Sequence, residues 1–140
     1  PGCEAEYADV IRRLFRAVSR DNIVWISLGT FRFMPALKAI IQRRFPNSGL
    51  LDGEFIPGLD GKMRYFKPLR MSIYRAMAAA IRAHAPKVCV YLCMEDDEVW
   101  RHALGFTPAE RGGLARLLDE AAVERCGLTP AGEGVVAVAA

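Results

Sequence analysis

The 140-residue chain has no apolar run approaching the roughly 20 residues a helix needs to cross a bilayer, which excludes a transmembrane helix of ordinary length within it. Its start lacks the charged, then greasy, then small-residue succession of a secretory signal. Four cysteines do not make a disulfide scaffold, because a core of this size needs no covalent staples. A reducing cytoplasm is the expected setting. Catalytic signatures are missing too: there is no G-x-S-x-G, H-E-x-x-H, P-loop or G-x-G-x-x-G. No repeat or low-complexity segment precedes the last dozen residues.

What is present is ordinary for a packed domain, with 52% apolar and 25% charged residues. The length allows one domain or a piece of a larger one, and a start at Pro1 rather than Met suggests processing or excerption. Charge is uneven around a net of +3. Between Arg32 and Arg75 lie Lys38, Arg43, Arg44, Lys62, Arg64, Lys67 and Arg70, opposed only by Asp52, Glu54 and Asp60. The run Glu95-Asp96-Asp97-Glu98 opens an acidic end. A basic centre of this kind is a polyanion footprint or a set of solvated helix faces.

Helices and strands alternate. Tyr7, Val10, Ile11, Leu14 and Val18 recur at helical spacing and predict a helix from about Glu4 to Arg20. Ile23 to Leu28 reads as a strand buried on both faces and ended by Gly29. Pro35 opens a second helix with the stripe Leu37, Ile40, Ile41 and Phe45. Extended arms at Leu51–Pro57 and Lys62–Phe66 flank Asp60-Gly61, a strong hairpin signal, with Pro57 confining its arm to an edge. A third helix follows Pro68, with Leu69, Ile73, Met77, Ala80 and Ile81 facing inward. Val88 to Cys93 is a second buried strand, and Asp96-Asp97 cap a short helix from Glu98 to Leu104. Thr107-Pro108-Ala109-Glu110 is a capping box for a last helix ending near Gly127, with Gly112-Gly113 weakening its first turn. Two strands joined through helices imply parallel pairing and only part of a barrel or sheet.

Cys89 and Cys93, with His84 and His102 nearby in sequence, invite a metal site. In a strand, however, four residues span about 13 Å, too far for one zinc ion. Core packing or cavity lining suits them better. His84 falls near a helix C-terminus, where a cation meets the dipole favourably. Glu95 to Glu98 reads as a capped helix start before it reads as a cation site. No metal site is expected in this chain.

The hairpin is the functional candidate. Its second arm, Lys62-Met63-Arg64-Tyr65-Phe66-Lys67, interleaves cations with rings, which suits phosphates and bases. Alternation puts Lys62, Arg64 and Phe66 on one face and Met63, Tyr65 and Lys67 on the other. Arg70 and Arg75 extend the positive surface. The competing reading is a hairpin packed by its aromatic side with its lysines in water.

Three segments carry a resemblance. They are Trp25-Ile26-Ser27-Leu28-Gly29-Thr30-Phe31-Arg32, the long stretch from Gly53 to Arg70 (GEFIPGLDGKMRYFKPLR), and Tyr91-Leu92-Cys93-Met94-Glu95 with Val99-Trp100. Together they resemble the C-terminal half of spore photoproduct lyase, over roughly Glu4 to Phe106. The resemblance implies an α/β fold, the C-terminal part of a partial (β/α)6 TIM-like barrel with an inserted β-hairpin. It implies a radical S-adenosylmethionine enzyme of the bacterial spore core. That family uses a 4Fe–4S cluster to form a 5′-deoxyadenosyl radical, which reverses the methylene-bridged thymine dimer in UV-damaged double-stranded DNA. The family's DNA-entering hairpin matches residues 50–67, and its arginine–tyrosine pair matches Arg64-Tyr65. Lys62, Lys67 and Arg70 are expected to join them on DNA. Gly29, Thr30, Arg32, Met94 and Glu95, at the strand ends, are expected to face cofactor and substrate.

The family's cluster triad, hydrogen-donating cysteine and relay tyrosines lie in an N-terminal half that these residues do not include. Those roles do not transfer to Cys89, Cys93 or Tyr91, and no residue here is assigned a catalytic role. The chain is expected to bind no cluster, to be inactive alone and to need the missing half of the barrel as its partner, with no membrane involved. Residues 1–106 carry the barrel portion, and 107–140 form a C-terminal helix and flexible tail without a family counterpart. A related radical enzyme with another substrate, and a non-catalytic nucleic-acid-binding domain, are the alternatives.

Overall fold

A computed structural model describes residues 3–128; the tail expected to be flexible lies outside them from residue 129 onward. The first helix, α1, spans Glu4–Ala17 and is followed by a 3-10 turn at Arg20–Asn22. Strand β1 is Trp25–Leu28 and β2 is Arg32–Phe33. A 3-10 turn at Pro35–Leu37 leads into α2, Lys38–Arg44. The hairpin strands are β3, Phe55–Pro57, and β4, Met63–Tyr65, after which α3 runs over Lys67–His84. Strand β5 (Cys89–Leu92), α4 (Asp97–Leu104) and α5 (Leu114–Cys126) complete the order.

The strands form two separate small sheets in a mixed α/β architecture. β1 and β5 pair in parallel, with Trp25 opposite Cys89 and Leu28 opposite Leu92. A parallel pair needs a crossover, and α3 lies within it. The second sheet is antiparallel in the order β2-β4-β3. Pro57 sits on its edge strand, as a residue without an N–H to donate must. Hairpin pairing was expected there; the third strand, β2, was not. Two residues are too short to leave a periodic signal. No closed barrel forms among the described residues.

The core lies where α3, β5 and α4 meet. Tyr74, Met77, Ala78 and Ile81 of α3 pack on Val90 and Leu92, with Val99, Trp100, Ala103 and Leu104 of α4 and Ile11 of α1 closing the cluster. Asp96 caps α4 as expected, accepting the Val99 N–H at 3.1 Å, and Gly105 ends it in the left-handed region.

Several expectations need correction. β1 is not buried on both faces: Trp25 is 43% exposed, because β5 is its only neighbour. Only Ile11 of the α1 stripe is buried, while Tyr7 and Val10 are more than half exposed. The buried line of α3 is Arg70, Tyr74, Met77, Ala78 and Ile81, so two polar residues replace Leu69 and Ile73. The Thr107 box does not start the last helix. Glu110 does accept the Thr107 N–H at 2.8 Å, but it caps a 3-10 turn at Ala109–Arg111. Gly112 (φ 77°) and Gly113 (φ 104°) then break the chain before α5.

Candidate functional site

The C-terminal ends of β1 and β5 lie side by side, extended by the Cys93 N–H donating to the Leu28 carbonyl at 2.8 Å. Gly29 abuts Cys93, since a Cβ at 29 would stand 3.8 Å from the Cys93 Cβ. Arg32 reaches back to this end, donating to the Cys93 carbonyl at 3.0 Å and to its Sγ at 3.3 Å. The Cys93 bond holds the Arg32 guanidinium above its ordinary pKa. The five residues expected at the strand ends are therefore brought together.

Glu95 does not face outward, however. Met94 takes a positive φ of 56°, which breaks strand alternation and turns the next residue inward. The Glu95 side chain is 3% exposed and accepts from Arg70 Nε at 3.0 Å and Nη2 at 3.1 Å. Tyr74 donates to the same carboxylate at 3.0 Å and accepts the Thr30 N–H at 2.8 Å. Burial, and then the Glu95 charge, push the Tyr74 hydroxyl up to about 12.

This network corrects the DNA-contact set as well. Arg70 is 4% exposed, and its guanidinium is spent on Glu95 and on the Tyr65 carbonyl, so it is no surface phosphate ligand. Burying a guanidinium requires a partner, and Glu95 supplies it. Its effect is to fasten the base of the hairpin to the end of β5. Lys67 adds an outer clasp to Asp96 at 2.9 Å and Glu98 at 2.8 Å.

The hairpin tip is open to solvent, with Leu59 fully exposed. Arg64 and Tyr65 leave β4 on opposite faces. Tyr65 stacks on Phe55 at 4.7 Å, where burial raises its pKa. It also lines an apolar groove of about 650 Å³ with Tyr7, Val10, Leu14, Leu28 and Met77. Arg64 is 15% exposed at its side chain and pairs with Asp60; Lys62 Nζ lies 3.7 Å from the same carboxylate. Exposed cations forming no ion pair among the described residues include Lys38, Arg43 and Arg44 of α2 and Arg75 of α3. Their signal was the charge run itself, which does not say which cations find partners.

The cysteines do not match a three-thiolate cluster site. Cys89 and Cys93 stand at the start and just past the end of one strand, while Cys3 and Cys126 are exposed and far apart in sequence. Burial pushes the Cys89 thiol up, opposite to what a ligand thiolate needs. No chemical step is derived through a cluster. Compared with protein-family models, curated proteins and solved structures, the chain matches none.

Proposed function

We propose that this chain is the C-terminal portion of a spore photoproduct lyase-like DNA repair enzyme. In this reading it supplies barrel strands and duplex contacts, while other polypeptide supplies the cluster ligands. The observation that carries the reading is the hairpin's attachment. An exposed two-stranded finger is joined through Phe66 to α3 and clamped at its base to the end of β5 by Arg70. A finger so fixed can hold distorted duplex in register with chemistry at the strand ends. The free edge of β1 among the described residues, beside the 650 Å³ apolar groove, is where further barrel strands would pack.

The chain's own part is to bind and to position. Arg64 and Lys62 at the tip offer cations to phosphates, and Tyr65 offers a ring at the root. S-Adenosylmethionine would meet the strand ends near Gly29, Thr30, Arg32 and Met94 and would supply the radical precursor. Glu95 serves there from within, by holding Arg70 and Tyr74.

Binding of the chain to a duplex carrying the methylene-bridged thymine dimer, compared with undamaged duplex, tests the reading. Preference for the lesion, lost in Tyr65→Ala and weakened with a flatter salt dependence in Arg64→Ala, is the expected result. Equal binding of both duplexes by all three proteins would overturn it. Dimer reversal by the chain alone under reducing, anaerobic conditions would overturn the division of labour.

A further inference from the structure

We infer that Asp60 is a built-in stand-in for a phosphodiester, from which Arg64 is handed to the nucleic-acid backbone on binding. The inference rests on the nucleic-acid reading of the hairpin. Arg64 does not extend into solvent as a free cation. It folds back across the turn, and its guanidinium pairs with the Asp60 carboxylate four residues earlier.

Gly58 makes that pose possible. A Cβ at position 58 would lie 2.5 Å from Arg64 Nε, 2.6 Å from Cζ and 2.8 Å from Nη2. Any side chain there would expel the guanidinium, which lies against bare backbone. The stored pose is also incompletely satisfied. Arg64 Nε is buried and has no hydrogen-bond partner. Asp60 cannot supply a second acceptor, because Oδ1 also takes the Lys62 N–H at 3.2 Å while Oδ2 faces Lys62 Nζ. A phosphate accepts two parallel donors from one guanidinium, so it can offer what Asp60 withholds.

The exchange leaves the hairpin intact. Its turn is held by backbone bonds, Gly58 N–H to Lys62 carbonyl at 2.8 Å and Gly61 N–H to Gly58 carbonyl at 2.9 Å. Neither involves Arg64. The exposed tip gives a polyanion access to the pair.

Two substitutions release the arginine by different means. Asp60→Asn removes the counter-charge yet keeps an Asn-Gly turn. Gly58→Ala changes no charge, and Gly58 lies outside the left-handed region, so the backbone accepts alanine. Affinity for a 20-base-pair duplex, read by fluorescence anisotropy, should rise about three- to tenfold in each, the scale of one weak ion pair. Both gains should vanish in an Arg64→Ala background. In the free chain, exchange of the Arg64 Nε–H should quicken at least tenfold in both variants. If Arg64→Ala weakens binding but neither release variant strengthens it, the inference falls and the nucleic-acid reading stands. If the chain binds no duplex, that reading falls and the hand-over with it. Equal Nε–H exchange in the three proteins would refute the storage itself, with no nucleic acid present.

Discussion

Arg70 and Glu95 form a buried ion pair that joins the root of the hairpin to the end of β5, with side chains 5% and 3% exposed. Around it, Tyr74 carries the connection to Thr30 at the end of β1. Residues expected to serve two surfaces, one for DNA and one for a cofactor, thus share one interior network.

Breaking that pair from one side leaves a buried charge. Arg70→Ala should cost about 3–5 kcal/mol in urea unfolding. The double replacement Arg70→Met with Glu95→Leu should recover most of it, because no charge is then stranded. A loss below about 1 kcal/mol for Arg70→Ala would mean that water reaches Glu95.

Tyr74 should titrate late. Its hydroxyl ionises at about 12 in the fold, against 10 when free. The folded state therefore holds its proton longer than the unfolded state. The resulting stability is complete below about pH 10 and is lost as pH rises towards 12. Absorbance of tyrosinate should show one step near pH 12 that disappears in Tyr74→Phe. The same substitution should cost about 1–3 kcal/mol by stranding the Thr30 N–H and one acceptor of Glu95.

Asp96 acts at both a cap and a clasp. Burial raises its pKa, but hydrogen bonds from Lys67 and the Val99 N–H, with the Lys67 charge, outweigh that and hold it below its ordinary value. Its contribution is thus fully present above the ordinary carboxylate range and is lost as pH falls through the lowered pKa. Asp96→Ala should cost about 1 kcal/mol at neutral pH. Asp96→Asn should keep the cap and flatten this part of the acid limb, read as melting temperature against pH.

Two leucines of equal hydropathy should behave oppositely. Leu92→Ala, at 1% exposure in the core, should cost about 2–5 kcal/mol. Leu59→Ser, at the fully exposed hairpin tip, should shift stability by less than about 0.5 kcal/mol. Chemical denaturation of both variants measures the contrast.

Local chemistry was legible where it acts over a few residues. The Asp96 cap, the Asp60-Gly61 turn, the edge position of Pro57 and the parallel pairing of β1 with β5 follow from turn preferences, missing donors and strand–helix alternation. The inward face of α3 was not legible. An apolar-stripe rule selects Leu69 and Ile73, whereas Arg70 and Tyr74 are buried because Glu95 and Thr30 wait for them. The storage of Arg64 was equally hidden, since it depends on the bare backbone of Gly58.

The order of the residues alone therefore determined where helices and strands begin, where the chain turns and where positive charge gathers. Only the tertiary structure decided which charges stay free. A cation's fate depends on which carboxylate the fold brings within about 3 Å of it, and at Arg70 that partner comes from 25 residues away along the chain.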